Sequence, residues 1–131
     1  MNQRILIVDE SEHFLEMIAI RLLNYGYENY FIAKNVQEAQ EMIKEDFPDL
    51  VIIDTKLGDR DGFELCRKIK LDHGDNIKVI LMTGLAQQYN LEKAQEVKAD
   101  DYVVKTFDCL ILMVAIKKLI SEINLSHPKR F

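Results

Sequence analysis

Leu50-Val51-Ile52-Ile53 is apolar without interruption, follows Pro48 and is closed by the carboxylate of Asp54. A run so short and so rich in β-branched residues predicts a strand buried on both faces, as in a parallel sheet covered by helices on each side. Asp54 then stands at the carboxyl end of its strand, the edge of an open α/β sheet where ligands bind. The segment from Thr55 to Gly62 holds two glycines and two further acids, Asp59 and Asp61. It is expected to be a polar, exposed loop.

The rest of the chain repeats the pattern. Ile5 to Val8 is a second buried-strand run, closed by Asp9-Glu10. Ser11 is a candidate N-cap for a helix with Phe14, Met17, Ile18, Leu22 and Leu23 at helical spacing, ended by Asn24-Tyr25-Gly26. Tyr30 to Ala33 reads as a strand, and Asn35 caps a helix whose Ala39, Met42 and Ile43 face inward until Pro48 blocks it. Beyond the central loop, a helix is expected from Phe63 to Leu71 and a turn from Asp72 to Asn76. Lys78 to Met82 is a fourth strand, ending at Thr83-Gly84. Leu91, Ala94 and Val97 mark a fourth helix, with no start signal between Leu85 and Asn90. Tyr102 to Val104 is a fifth strand ending at Lys105, and a fifth helix is expected from Asp108 to Ile123. This (βα)₅ alternation predicts a doubly wound, five-stranded parallel sheet with helices on both faces, the flavodoxin-like order of α/β elements. One domain over residues 1–125 and a loose tail over 126–131 are expected.

Composition narrows the function classes. A chain of 131 residues is long enough for one sizeable core. A net charge of −5 argues against direct nucleic-acid binding. Cys66 and Cys109 form no CxxC and no metal-ligand spacing, so buried reduced thiols and a cytoplasmic location are expected. No secretory leader is visible. The longest apolar run, Cys109 to Ile116, is far shorter than a membrane span, so no membrane partner is expected.

In this architecture all strand carboxyl ends emerge on one rim, which brings Asp9, Glu10, Asp54, Thr83 and Lys105 together. Three carboxylates there repel one another and call for a cation. Hard oxygen ligands with few protein contacts suit Mg²⁺, which keeps several waters. A lysine and a hydroxyl beside such an ion make a receptor for a phosphate-like anion. Asp54 is then a nucleophile able to form an aspartyl phosphate.

These residues resemble the receiver domains of the two-component response-regulator family over essentially the whole chain. The acidic pair is matched by Asp9-Glu10, and the phosphoacceptor with its following Asp-Gly by Asp54 and Asp61-Gly62. The Thr with a small neighbour is matched by Thr83-Gly84, and the Asp-Asp-Tyr-x-x-Lys stretch by Asp100 to Lys105, followed by Phe107. The resemblance implies a switch. A sensor histidine kinase or phosphotransfer protein would donate a phosphoryl group to Asp54. Mg²⁺ would be held by Asp9, Glu10, Asp54 and the backbone carbonyl of Lys56. Thr83 and Lys105 would bind the phosphoryl oxygens, and Thr83 moving would draw Tyr102 inward and reshape the face of the fourth helix, fifth strand and fifth helix. The domain would be a phosphoacceptor and not a turnover enzyme.

Four departures stand out: Glu10 for the usual Asp, Lys56 near the site mouth, Gly58 where proline is frequent, and Thr106 for proline after the lysine. Without proline a cis bond costs about 2.5–4 kcal/mol, so the Lys105–Thr106 bond is expected to be trans. Three other readings compete. A dehalogenase-like phosphatase needs an acid where Lys56 stands. A flavodoxin-like electron carrier needs a phosphate loop where Glu10-Ser11-Glu12 would repel one. A receiver-like interaction module without phosphorylation leaves the site residues unexplained. The sequence shows no effector domain, so the output is expected to be a protein contact, unless the chain is a piece of a longer regulator. The apolar run of the fifth helix leaves Leu110, Ile111 and Val114 facing outward, predicting a homodimer or a docked downstream protein, unless Phe131 folds back over them.

Overall fold

The five runs expected to be strands are strands, and the apolar run from Cys109 to Ile116 leads into a helix. The computed structural model describes residues 3–106 and 108–126. In chain order the elements are β1 (Ile5–Val8), α1 (Glu12–Asn24), β2 (Tyr30–Ala33), α2 (Val36–Asp46), β3 (Leu50–Asp54), β4 (Lys56–Leu57), β5 (Arg60–Asp61), α3 (Gly62–His73), β6 (Lys78–Thr83), α4 (Leu91–Glu96), β7 (Asp101–Val104) and α5 (Leu110–Ser126). β1, β2, β3, β6 and β7 form a parallel sheet in the order β2-β1-β3-β6-β7. From β1 the chain crosses to β2 on one side and returns to β3 on the other. The carboxyl ends of β1 and β3 therefore flank the switch point, where a crevice opens.

Alternation along the strands builds two cores. Ile5, Ile7, Leu50, Ile52, Ile80 and Met82 pack with Phe14, Leu15 and Ile18 of α1 and Leu112, Ile116 and Leu119 of α5. Leu6, Val8, Val51, Ile53, Val79 and Leu81 pack with Ala39 and Ile43 of α2, Phe63, Cys66 and Ile69 of α3, and Ala94 of α4. Both faces of the central strands are apolar because both are covered.

Several boundaries differ from expectation. The loop after Asp54 contains the two-stranded antiparallel ribbon β4-β5, closed by a turn with Gly58 at φ 63°. α3 starts earlier because Asp61 caps it, its carboxylate accepting from Phe63 N at 2.9 Å. It also runs on to His73, and the expected turn shrinks to a 3₁₀ turn over Gly74–Asn76. A second 3₁₀ turn, Ala86–Gln88, fills the unassigned stretch before α4. α5 starts later than expected: Asp108 accepts from Leu110 N at 3.1 Å, and Cys109 sits at φ 58° just ahead of the helix. Ser126, expected in a loose tail, is the last residue of α5. The remaining tail residues 127–131, including Phe131, and Phe107 lie outside the described residues.

Candidate functional site

β1 and β3 deliver Asp9 and Asp54 side by side, since Val8 pairs with Ile53 in the register. Asp9 and Thr83 are fully buried and Asp54 is nearly so. Lys105 follows β7 and reaches between the two carboxylates. Its Nζ lies 2.5 Å from Asp9 Oδ2 and 3.0 Å from Asp54 Oδ2. The cation that relieves the carboxylate repulsion in this structure is thus the lysine ammonium. The second Asp54 oxygen, Oδ1, accepts from Lys56 N at 3.2 Å, so both oxygens are oriented. Asp9 Oδ1 accepts from Ser11 N at 2.8 Å.

The electrostatics follow from burial and this contact. Burial pushes the Asp9 carboxyl above its ordinary value, against the opposing pull of Lys105. Burial draws the Lys105 ammonium down, but Asp9 and Asp54 outweigh it, and the net shift is upward. Lys105 therefore stays charged, and its Nζ lies over the Phe14 ring, 4.3 Å from the centroid.

Two buried oxygens keep unused capacity. Thr83 Oγ1 has no hydrogen-bond partner among the described residues, and no donor is aimed at Asp9 Oδ2, whose ion contact with Lys105 lies off the hydrogen-bond direction. A buried hydroxyl or carboxylate oxygen left so is costly unless something arrives to satisfy it. Among the described residues no three His, Cys, Asp or Glu side chains form a metal cage on their own. That donor set fits a hard cation such as Mg²⁺, which takes one or two carboxylates and completes its shell with water. Glu10 belongs to the rim as an exposed side chain. Its Oε2 lies 3.5 Å from where a Cβ on Gly58 would stand, so the longer acid and the side-chain-free turn occupy adjoining space.

Gly62 accounts for the Asp-Gly spacing after Asp54. A Cβ there would lie 2.1 Å from the carbonyl oxygen of Asp54 and 2.8 Å from Thr55 Cα. Gly62 N donates to Thr55 O at 2.9 Å. The helix start is thereby laid directly on the strand end that carries Asp54.

Around Tyr102 the site continues toward α4. Tyr102 is buried, stacks on Tyr89 with centroids 4.2 Å apart, and meets Phe63 edge-on at 5.8 Å. Its hydroxyl accepts from Asn90 N at 3.0 Å. Lys93 of α4 pairs with Asp61 at 3.1 Å and lies 4.7 Å over the Phe63 ring.

The response regulator receiver domain model matches residues 5–117. The chain belongs to the response regulator receiver domain family. The phosphate regulon transcriptional regulatory protein PhoB of Pseudomonas aeruginosa is 36% identical over 121 residues, covering 92% of this chain and 52% of that protein. The chain thus spans about half the length of that curated relative. A CheY-like receiver domain protein from Methanospirillum hungatei is similar in structure, with a TM-score of 0.80, 34% identity, and coverage of 92% of this chain and 94% of that one. The response regulator TrrA of Thermotoga maritima, solved in complex with Mg²⁺-BeF, has a TM-score of 0.80 and 32% identity, covering 89% of this chain and 98% of that one. Receiver domains act in phosphorylation-dependent signalling as phosphoacceptors, with histidine kinases upstream and effectors downstream.

Within this receiver domain Asp9, Asp54, Thr83 and Lys105 converge as the sequence pattern predicts, and Glu10 and Lys56 stand at the mouth. The Lys105–Thr106 bond is trans, there being no cis peptide among the described residues. No ion pair joins Lys56 to Glu10. Leu110, Ile111 and Val114 are 55%, 50% and 62% exposed. Among the described residues no helix is long and apolar enough to cross a membrane. Sequence reasoning missed Phe14, Tyr89 and Lys93. Asp61 had a legible signal, a cap residue just before a helical pattern.

Proposed function

We propose that Asp54 accepts a phosphoryl group from a phosphohistidine of a sensor kinase or phosphotransfer protein. An Asp54 carboxylate oxygen attacks phosphorus, the P–O bond forms as the P–N bond breaks, and the imidazole nitrogen leaves and takes up a proton. The observation that carries the reading is the buried Asp54, oriented by Lys105 and by the Lys56 N–H, beside the unpartnered hydroxyl of Thr83. Lys105 and Thr83 then bind phosphoryl oxygens. Mg²⁺ held by Asp9, Glu10, Asp54 and the carbonyl of Lys56 supplies positive charge to those oxygens when bound.

The output runs through Thr83 and Tyr102 to the face made by α4, β7 and α5. A phosphoryl group that engages Thr83 shifts the population of Tyr102 and α4 arrangements by its preference for one of them. Leu110, Ile111 and Val114 form the docking surface for a second copy or a downstream protein. Labelling with acetyl phosphate is expected to need Mg²⁺, and labelling that survives a chelator would count against this reading. Light scattering on wild type and Ile111→Glu, with and without beryllofluoride, tests the surface: dimer lost in the variant supports self-association, and monomers throughout leave the foreign partner.

A further inference from the structure

Lys105 is held by more than its two carboxylates. The ring of Phe14 lies beneath the ammonium, 4.3 Å from Nζ to the centroid. Phe14 is only 6% exposed and belongs to the core between the sheet and α1 and α5. A leucine would also bury apolar surface at that position, at the cost of some packing. Only an aromatic ring presents a negative face to a cation, and the attraction is strongest where the pair is withdrawn from water.

The contacts close into a circuit. Ser11 N donates to Asp9 Oδ1 at 2.8 Å, Phe14 N donates to Ser11 Oγ at 3.2 Å, the Phe14 ring supports Lys105, and Lys105 returns to Asp9 Oδ2 at 2.5 Å. The N-cap that starts α1 therefore sets the position of Phe14 relative to Asp9. We propose that Phe14 is a positioning residue for Lys105 in phosphoryl transfer to Asp54. This role rests on the phosphoacceptor reading above. Lys105 donates a directed hydrogen bond to Asp54 Oδ2, which must be redistributed when a phosphoryl oxygen takes a share of the ammonium hydrogens. The attraction of a ring face depends little on which way each N–H points. Phe14 thus keeps the ammonium at the rim while its hydrogens pass from Asp54 Oδ2 to the phosphoryl oxygens, and keeps the long side chain from swinging into solvent.

Mono-, di- and trifluorophenylalanine at position 14 weaken the ring face with little change of shape. The rate of labelling by acetyl phosphate with Mg²⁺ is expected to fall stepwise along the series, by about three- to tenfold at the last member. Proton resonances of the Lys105 ε-methylene are expected upfield in wild type and at ordinary positions in Phe14→Leu. Labelling that stays flat across the series, or an unshifted Lys105 ε-methylene in wild type, would overturn the role. Wild type that takes no label fails the phosphoacceptor reading itself and the role with it, whereas labelling with a flat series fails the role of Phe14 alone.

Discussion

Replacing Gly62 with alanine sets two effects against each other. Gly62 is the first residue of α3, and alanine in a helix is favoured over glycine by about 1 kcal/mol, less at its first turn. Against this, the new methyl would lie 2.1 Å from the carbonyl oxygen of Asp54 and 2.9 Å from its carbonyl carbon. Both are backbone atoms of a central strand hydrogen-bonded on both sides, by β1 and β6. No side chain can yield, so β3 or the start of α3 must move by about an ångström, an overpacking cost of about 3 kcal/mol or more. The clash wins by about 2 kcal/mol, lowering the melting temperature by about 6–10 °C. Urea unfolding followed by circular dichroism measures it. Gly84→Ala is the control, because its methyl would meet nothing within 4 Å. That variant is expected to stay within about 0.5 kcal/mol of wild type. Gly62→Ala as stable as wild type, or more so, would refute the reasoning.

Asp100 holds Lys70 Nζ at 2.7 Å and accepts from Val79 N at 2.8 Å. Asp100→Ala takes the close carboxylate from a buried ammonium, which keeps only the carbonyls of Gly74 and Ile77 as hydrogen-bond partners among the described residues, and removes the acceptor of Val79 N. It is expected to cost about 3 kcal/mol in the same urea assay. Alkaline pH is expected to lower stability. Burial raises the phenols of Tyr27 and Tyr102 above 10.0 and pushes the Cys66 thiol up to about 12, while Asp9 and Asp54, against the pull of burial, raise Lys105 above 10.5. The folded form then keeps protons the unfolded chain has lost, so stability is full below the unfolded values and declines as pH climbs from about 9 to about 12; urea midpoints that stay constant across that window would contradict it. Lys56 is exposed at the mouth of the site, and Lys56→Ala is expected to shorten the lifetime of the aspartyl phosphate about two- to fivefold by opening the path of water; equal dephosphorylation rates would retire that role.

Strands buried on both faces advertise themselves, because every residue from Leu50 to Ile53 must be apolar, and the polar residue closing each run marks the rim. That is why Asp9, Asp54, Thr83 and Lys105 were legible together. The β4-β5 ribbon was not, since its two-residue strands are too short for alternation to register and its turn needs Gly58 at a positive φ. The same φ explains the absence of proline there, whose ring fixes φ near −65°. Phe14 was read as an ordinary core position, and it is one. Nothing in the spacing of α1 tells that its ring also meets a lysine ninety-one residues away. The stacking of Tyr89 on Tyr102 was hidden because the stretch from Leu85 to Asn90 is mostly 3₁₀ and irregular chain, with no period to read.

Intact-mass measurement after incubation with acetyl phosphate and Mg²⁺ tests the central claim, that Asp54 is the phosphoacceptor of this rim. Wild type is expected to gain the mass of one phosphoryl group and Asp54→Ala to gain none, while keeping its fold by circular dichroism. An Asp54→Ala protein that is still phosphorylated would contradict the account, as would a folded wild type that never gains the group.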